Sequence, residues 1–293
     1  MRPFRGRIAV VTGAASGIGR ALALGLAERG AHLAISDVDD AGLAVTAARV
    51  RAVGGAVHVA HLDVSERAAV RRYATRVAEH FGAVHQVYNN AGIGTNARPL
   101  AQTDDYDDFE RLLAVNLWGV IYGTREFLPH LIRSGEGQVV NVSSLNGYLG
   151  QPRMAAYCTS KFGVRGFTEA LRAELLAAGH PVRVAVVHPG GVATGISDAA
   201  LARSRAADPA ERAAQVHRTR VYNERLLRMP PARAAGIILD GVAAGRGRIL
   251  VGGDARATDA LVRLMPSTYP RLTAWFERLM FGDSREGGRL AVT

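Results

Sequence analysis

Cysteine is almost missing from this chain of 293 residues. Cys158 stands alone, so no intrachain disulfide can form. A lone thiol fits a reducing compartment, and a cytoplasmic protein is expected. Cys158 lies outside any CxxC or Cys/His spacing, which leaves it a small packing residue and gives no reason to expect a metal. Long apolar runs are missing too. The basic stretch from Met1 to Arg7 is followed by a short apolar run that enters a glycine turn, so neither a signal peptide nor a transmembrane span is expected. Lysine is the rarest of the charged residues: of 36 Lys and Arg positions, Lys161 is the single lysine. The formal net charge of +10 raises nucleic acid or an acidic membrane as partners. The arginines are dispersed, however, with their densest group between Arg203 and Arg233. No zinc-finger spacing or RNA-binding aromatic signature accompanies them, so solvated surface charge is expected and no nucleic-acid partner.

Hydrophobic residues make up 48% of the chain, enough for a sizeable core, and the 33 glycines punctuate apolar stretches without forming low-complexity tracts. Apolar runs at 7–11, 31–36, 57–62, 84–88, 138–142 and 182–188 read as buried parallel strands. Between them, 20–29, 40–53, 65–80, 106–134 and 155–178 read as helices. This alternation predicts an α/β fold, a Rossmann-type doubly wound parallel sheet in a single domain over 1–255. Beyond Thr194 the pattern loosens. Residues 195–231 are polar and arginine-rich without strand signals, 232–244 reads as helix and 248–251 as a last strand. A helical C-terminal extension is expected over 256–293.

Polar and glycine-rich clusters fall at the carboxyl ends of the strands, where such sheets bind ligands. Gly13, Ser16, Gly17, Ile18 and Gly19 lie in a GxxxGxG turn between the first strand and the first helix. A pyrophosphate needs that kind of unobstructed backbone and the amides of a helix start. Asp37 ends the second strand, where a carboxylate can accept the ribose hydroxyls of NAD and repel the 2′-phosphate of NADP; no cation stands near it in sequence. Tyr157 and Lys161 are one helical turn apart on one face. Where arginine supplies nearly all other positive charge, a surviving lysine points to a need for the ammonium itself. There the cation favours the tyrosinate.

Thr12 to Gly19, Asn89-Asn90-Ala91-Gly92, Asn116, Ser144, Tyr157-xxx-Lys161 and Pro189-Gly190 together resemble the short-chain dehydrogenase/reductase family over about residues 5–255. Ser144 precedes Tyr157 by the family's usual interval, which favours it over Ser143. The resemblance implies Tyr157 as acid/base, with its pKa lowered from about 10 by Lys161 and the nicotinamide charge. It implies Ser144 as hydrogen-bond partner of the substrate oxygen, Lys161 also as holder of the nicotinamide ribose, and Asn116 as holder of a water that links Lys161 to solvent. Asp63 and Val64 resemble the adenine-binding pair. Asn90, Ala91 and Gly92 resemble the segment beside the adenosine ribose, and Pro189, Gly190, Val192 and Thr194 the loop that orients the carboxamide.

The expected activity is NAD(H)-dependent interconversion of a small-molecule alcohol and its carbonyl compound. An apolar substrate is expected from Leu145, Tyr148, Leu149, Met154 and Ile196, with 195–231 covering it. Two alternatives are a catalytically silent NAD-sensing or scaffold protein and a membrane-associated lipid oxidoreductase. The extension is readable as subunit contact, lid or interfacial helix. Family members commonly pair through the two long helices. Here Phe162, Val164, Phe167 and Leu171 are read as outward-facing, so a homo-oligomer is expected, a tetramer in preference to a dimer.

Overall fold

The computed structural model describes residues 4–103, 106–206 and 208–282. The last part of the 256–293 extension and the first three residues of the basic N-terminus lie outside the described residues.

Seven parallel strands form one sheet: β1 (Ile8–Thr12), β2 (His32–Asp37), β3 (Val57–His61), β4 (Gln86–Asn89), β5 (Gly137–Val142), β6 (Val182–Pro189) and β7 (Arg248–Val251). Their spatial order is β3-β2-β1-β4-β5-β6-β7. β1 and β5 are buried at every position, because helices cover both faces and no solvent face calls for polar alternation. The order reverses between β1 and β4, the switch point at which such sheets form a ligand crevice.

On one face lie α1 (Gly17–Glu28), α2 (Asp40–Ala52) and, beside α1, α9 (Pro231–Ala243). Leu22, Leu26, Ile238 and Leu239 pack there against Val11 and Ile35. On the other lie α3 (Arg67–Phe81), α5 (Gly119–Arg133) and α6 (Ala155–Ala177). Tyr73, Val77, Phe127 and Leu171 meet Val10, Val87 and Val139 there.

The helix expected over 106–134 is one rod with a defect. α4 (Asp107–Leu113) passes through a π turn, Ala114–Trp118, before α5 begins. The π turn holds the buried Asn116. Residues 195–231 are largely helical: α7 (Ile196–Arg203), α8 (Pro209–Val221) and a second π turn, Tyr222–Leu226. Asp208 caps α8 by accepting the Glu211 N–H at 2.8 Å. After β7 come α10 (Gly253–Leu264) and α11 (Tyr269–Phe281), so residue 255 falls inside a helix. Pro266 lies in the break between them and Pro270 in the first turn of α11. Among the described residues no helix is long and apolar enough to cross a membrane.

Two surface expectations need correction. Val164 and Leu171 of α6 are buried in the core and do not face outward. Tyr148 and Leu149 are buried as well, so they are core residues and not open pocket wall.

Candidate active site

The turn after β1 is shaped by close backbone approach. Gly13 has φ +68°, and a Cβ there would sit 2.6 Å from Ala91 Cα. A Cβ on Gly19 would overlap the carbonyl of Gly13. Side chains would therefore fill the cradle that a phosphate needs. Ser16 precedes α1 without making a side-chain capping bond, so its hydroxyl and the first amides of the helix remain for a ligand. Asn90 braces the turn: its Nδ2 donates to the carbonyls of Thr12 and Gly13 at 3.0 and 3.1 Å. The amides of Asn90 and Ala91 both donate to Thr12 Oγ1 at 3.1 Å.

Asp37 closes the crevice at the end of β2. One carboxylate oxygen accepts the Ala15 N–H at 2.8 Å, and the other accepts those of Val38 and Asp39 at 2.8 and 3.1 Å. A carboxylate accepts about four hydrogen bonds, so capacity for hydroxyl donors remains. A cation absent from its sequence neighbourhood is close in space. Arg20 donates to the carbonyls of Ala15 and Gly42 and, from Nε, to Thr46 Oγ1 at 3.0 Å. Asp63 is exposed, and its carboxylate accepts the amide and hydroxyl of Ser65; Val64 is buried, packed against Gly119.

Ser143 and Ser144 follow β5. The hydroxyl of Ser143 donates to the carbonyl of Lys161 at 2.8 Å, so it is engaged with the α6 backbone. Ser144 Oγ accepts the Asn146 N–H at 3.1 Å and faces the hydroxyl of Tyr157, whose ionised form it favours. Lys161 Nζ lies 5.8 Å from the centre of the Tyr157 ring. It donates to the carbonyl of Val142 at 3.1 Å. The hypothetical Cβ of Gly92 would lie 3.1 Å from Asn116 Oδ1 and 3.5 Å from Lys161 Nζ, so these three residues meet in one place. The Asn116 side chain clamps the loop after β4, accepting the Ile93 N–H at 2.8 Å and donating to the Ile93 carbonyl at 3.0 Å.

Burial dominates the electrostatics. It pushes the Tyr157 phenol up to about 12, against the opposing hydrogen bond from Ser144. It pushes the Lys161 ammonium down to about 8. Without the nicotinamide charge, then, burial keeps the Tyr157 phenol protonated at neutral pH.

The loop after β6 completes the crevice. The Gly190 N–H donates to the Val251 carbonyl at 2.9 Å, and that of Ala193 to Met229 at 2.8 Å. Val192 forms a parallel bridge with Met229. Thr194 reaches back over the first turn, with its methyl 3.0 Å from the hypothetical Cβ of Gly17. Pro189 ends β6 opposite Val251.

Three features were missed by the motif reading. His188 is fully buried, and its Nδ1 donates to the carbonyl of Ser144 at 2.8 Å. Burial pushes it down to about 4, so it is neutral, and Nε2 has no partner. Asp254, at the start of α10, accepts the Gly191 N–H at 2.6 Å. Beneath the site, Asn89 donates to Asn141 at 2.8 Å and to Thr124 at 3.0 Å, and Asn141 donates to Thr168 at 3.0 Å, joining β4, β5, α5 and α6. The sequence signals were present: a histidine before Pro189-Gly190, an acid after the last strand, and an asparagine inside an apolar strand.

Residues 7–204 match the family model described as short chain dehydrogenase. The chain is 49% identical over 274 residues to SadH of Mycobacterium tuberculosis, a protein named as a candidate oxidoreductase, spanning 94% of this chain and 96% of that one. It is 39% identical over 176 residues to the 2-dehydro-3-deoxy-L-rhamnonate dehydrogenase (NAD(+)) of a Sphingomonas species, covering 60% of this chain and 69% of the relative. Among solved structures, a short chain dehydrogenase/reductase from Burkholderia phymatum in complex with NAD superposes with a TM-score of 0.82 at 33% identity, over 93% of this chain and 97% of that one. With the family model matching residues 7–204 and these relatives covering most of its length, the chain belongs to the short-chain dehydrogenase/reductase family of oxidoreductases.

Proposed function

We propose that this chain interconverts a secondary alcohol and a ketone, or a primary alcohol and an aldehyde, with NAD(H). The observation that carries the reading is the meeting of Ser144, Tyr157 and Lys161 beside Gly92, at the switch point whose other wall is the glycine turn. When bound, the nicotinamide supplies or accepts the hydride at the carbinol carbon. Tyr157 gives its proton to the carbonyl oxygen in reduction and takes the alcohol proton in oxidation. Ser144 hydrogen-bonds the same oxygen as charge develops on it. Lys161 opposes the burial that keeps the phenol protonated, and it binds the nicotinamide ribose. Asn116 fixes the loop at Ile93 and stands next to Lys161, where it can hold a water. Asp63 and Val64 flank the adenine. The partly exposed Leu145, Met154 and Ile196 face an apolar substrate body, and 195–231 covers it.

Asp37 supports NAD over NADP, since it stands where the adenosine ribose hydroxyls belong. Arg20 is near it, with Nε held by Thr46 and Nη2 by the carbonyls of Ala15 and Gly42. The NAD in the names of the Sphingomonas and Burkholderia proteins supports the same choice. A screen of varied alcohols and ketones against both cofactors tests this. The expected preference for NAD(H) is at least tenfold, ~1.4 kcal/mol, and Asp37→Ala erodes it. Equal use of NADP(H) by the unaltered protein refutes it.

The same reading includes a cytoplasmic homo-tetramer in preference to a dimer. The two long helices leave Trp118, 49% exposed, and Phe162, 41% exposed, on the surface, where a second copy can cover them. Light scattering at micromolar concentration tests it, and a monomer refutes it.

A further inference from the structure

Segments from four parts of the chain gather around the N-terminal end of α6, the helix that carries Tyr157. They are the loop after β4, the turn at 150–154, α8 with its π turn, and α11 behind them. Their charges are matched in pairs. Arg98 donates Nε and Nη2 to the two carboxylate oxygens of Glu211, both at 2.6 Å. Arg218, nearly buried, pairs with Glu277 through both terminal nitrogens and lies 4.1 Å from the centre of the Phe281 ring. Asn96 donates toward the Gln215 carbonyl and Thr219 Oγ1 at 3.4 Å.

Arg153 is the exception. It immediately precedes the N-cap of α6, four residues before Tyr157. It is half-buried, makes none of the hydrogen bonds or ion pairs among the described residues, and its Nε is fully buried without a partner. It is also the one non-glycine among the described residues with a left-handed backbone, φ 63°. Burial disfavours its charge most and Arg218 repels it, while Glu277, Glu211 and Tyr222, each engaged with another arginine, act in the opposite direction. A desolvated unpaired charge and a left-handed backbone on a long side chain are each destabilising. Such costs persist at ligand sites. A guanidinium fork with open donors suits a planar oxyanion, above all a carboxylate.

We propose that Arg153 is the anchor for a carboxylate or similar oxyanion on the substrate, so that the enzyme acts on an alcohol or ketone whose apolar body carries an acidic group. This rests on the reading that the space beside Tyr157 receives the substrate. It deepens the expectation of an apolar substrate into an amphipathic one, with the body along Leu145, Met154 and Ile196 and the charge at Arg153.

The test is calorimetric titration of butanoate, hexanoate and octanoate, with the matching primary amides, into the protein–NADH complex at low salt. The variants are Arg153→Asn, which tolerates the left-handed backbone, and Arg153→Lys, which keeps the charge. The expected result is that at least one carboxylate binds about tenfold or more tighter than its amide. Arg153→Asn abolishes that difference, Arg153→Lys keeps part of it, and the melting temperature of Arg153→Asn is equal to or above that of the unaltered protein. Equal binding of acids and amides, no binding of any carboxylate, or an unchanged preference in Arg153→Asn overturns the proposal. So does a melting temperature several degrees lower, which would make Arg153 a structural residue. Arg153-dependent carboxylate binding in a protein that transfers no hydride to any carbonyl compound would uphold this inference and refute the proposed reaction.

Discussion

Lys161 is held where its charge is disfavoured. It is 4% exposed, its one hydrogen bond goes to the Val142 carbonyl, and burial brings its pKa from 10.5 to about 8. The linkage sign follows from proton counts. Between about pH 8 and 10.5 the unfolded chain holds a proton that the folded one has lost, so stability rises with pH across that window. Below it the full penalty applies, about 3 kcal/mol. Lys161→Met is therefore expected to unfold at a higher temperature than the parent at neutral pH, with the gain shrinking as pH approaches 10.5, while hydride transfer is lost. Calorimetric melts across pH check this, and a variant less stable at neutral pH would contradict it. The identity of these residues was legible because a one-turn helical spacing fixes their juxtaposition. Their protonation was not legible. A lysine four residues from a tyrosine suggests a lowered phenol, yet burial, which depends on the whole fold, outweighs the Ser144 hydrogen bond and raises it to about 12.

At the scale of elements, the loops after β5 and β6 are cross-braced. His188 holds the Ser144 carbonyl from β6, its ring packs 5.1 Å from that of Tyr148, and the Tyr148 hydroxyl donates to the Ala255 carbonyl at 2.6 Å. The start of α10 thus supports Ser144 through two side chains and Gly191 through Asp254. His188→Leu is expected to lower kcat about tenfold with little change in NAD binding, and His188→Asn, which keeps a donor, to recover part of it. A second readout separates positioning from general damage. His188 stays neutral in the fold to about pH 4, whereas in the unfolded chain it protonates near 6.5. The parent therefore loses stability as pH falls from 6.5 toward 4, and His188→Leu lacks that component. Kinetics and acid-unfolding profiles identical to the parent would contradict the role. The segment 195–231 was legible as polar and arginine-rich but not as helical. α8 has few apolar residues, and its place is fixed by Asp208 at its cap and by Arg98–Glu211 and Arg218–Glu277, contacts between residues far apart in sequence. Likewise, nothing local in 106–134 marks the π turn, which arises where Asn116 reaches the Ile93 backbone.

At the scale of the whole molecule, the sheet was readable because parallel strands buried on both faces are short, nearly continuous apolar runs separated by helical spacing. Which outward-looking helix positions are truly exposed was less readable, since Val164 and Leu171 enter the core while Phe162 does not. The sheet brings the glycine turn, Asp37, Gly92 and the Ser144, Tyr157 and Lys161 cluster to one edge, and the account stands on that convergence being catalytic. The most direct measurement is single-turnover hydride transfer, followed by reduced-nicotinamide absorbance, in the parent and in Tyr157→Phe across the alcohol and ketone panel, with NAD binding measured in both. The account predicts transfer with at least one member of the panel, a fall of about 10² or more in Tyr157→Phe, and NAD affinity nearly unchanged. Near-normal transfer in Tyr157→Phe, or none by the parent with any member, would contradict it.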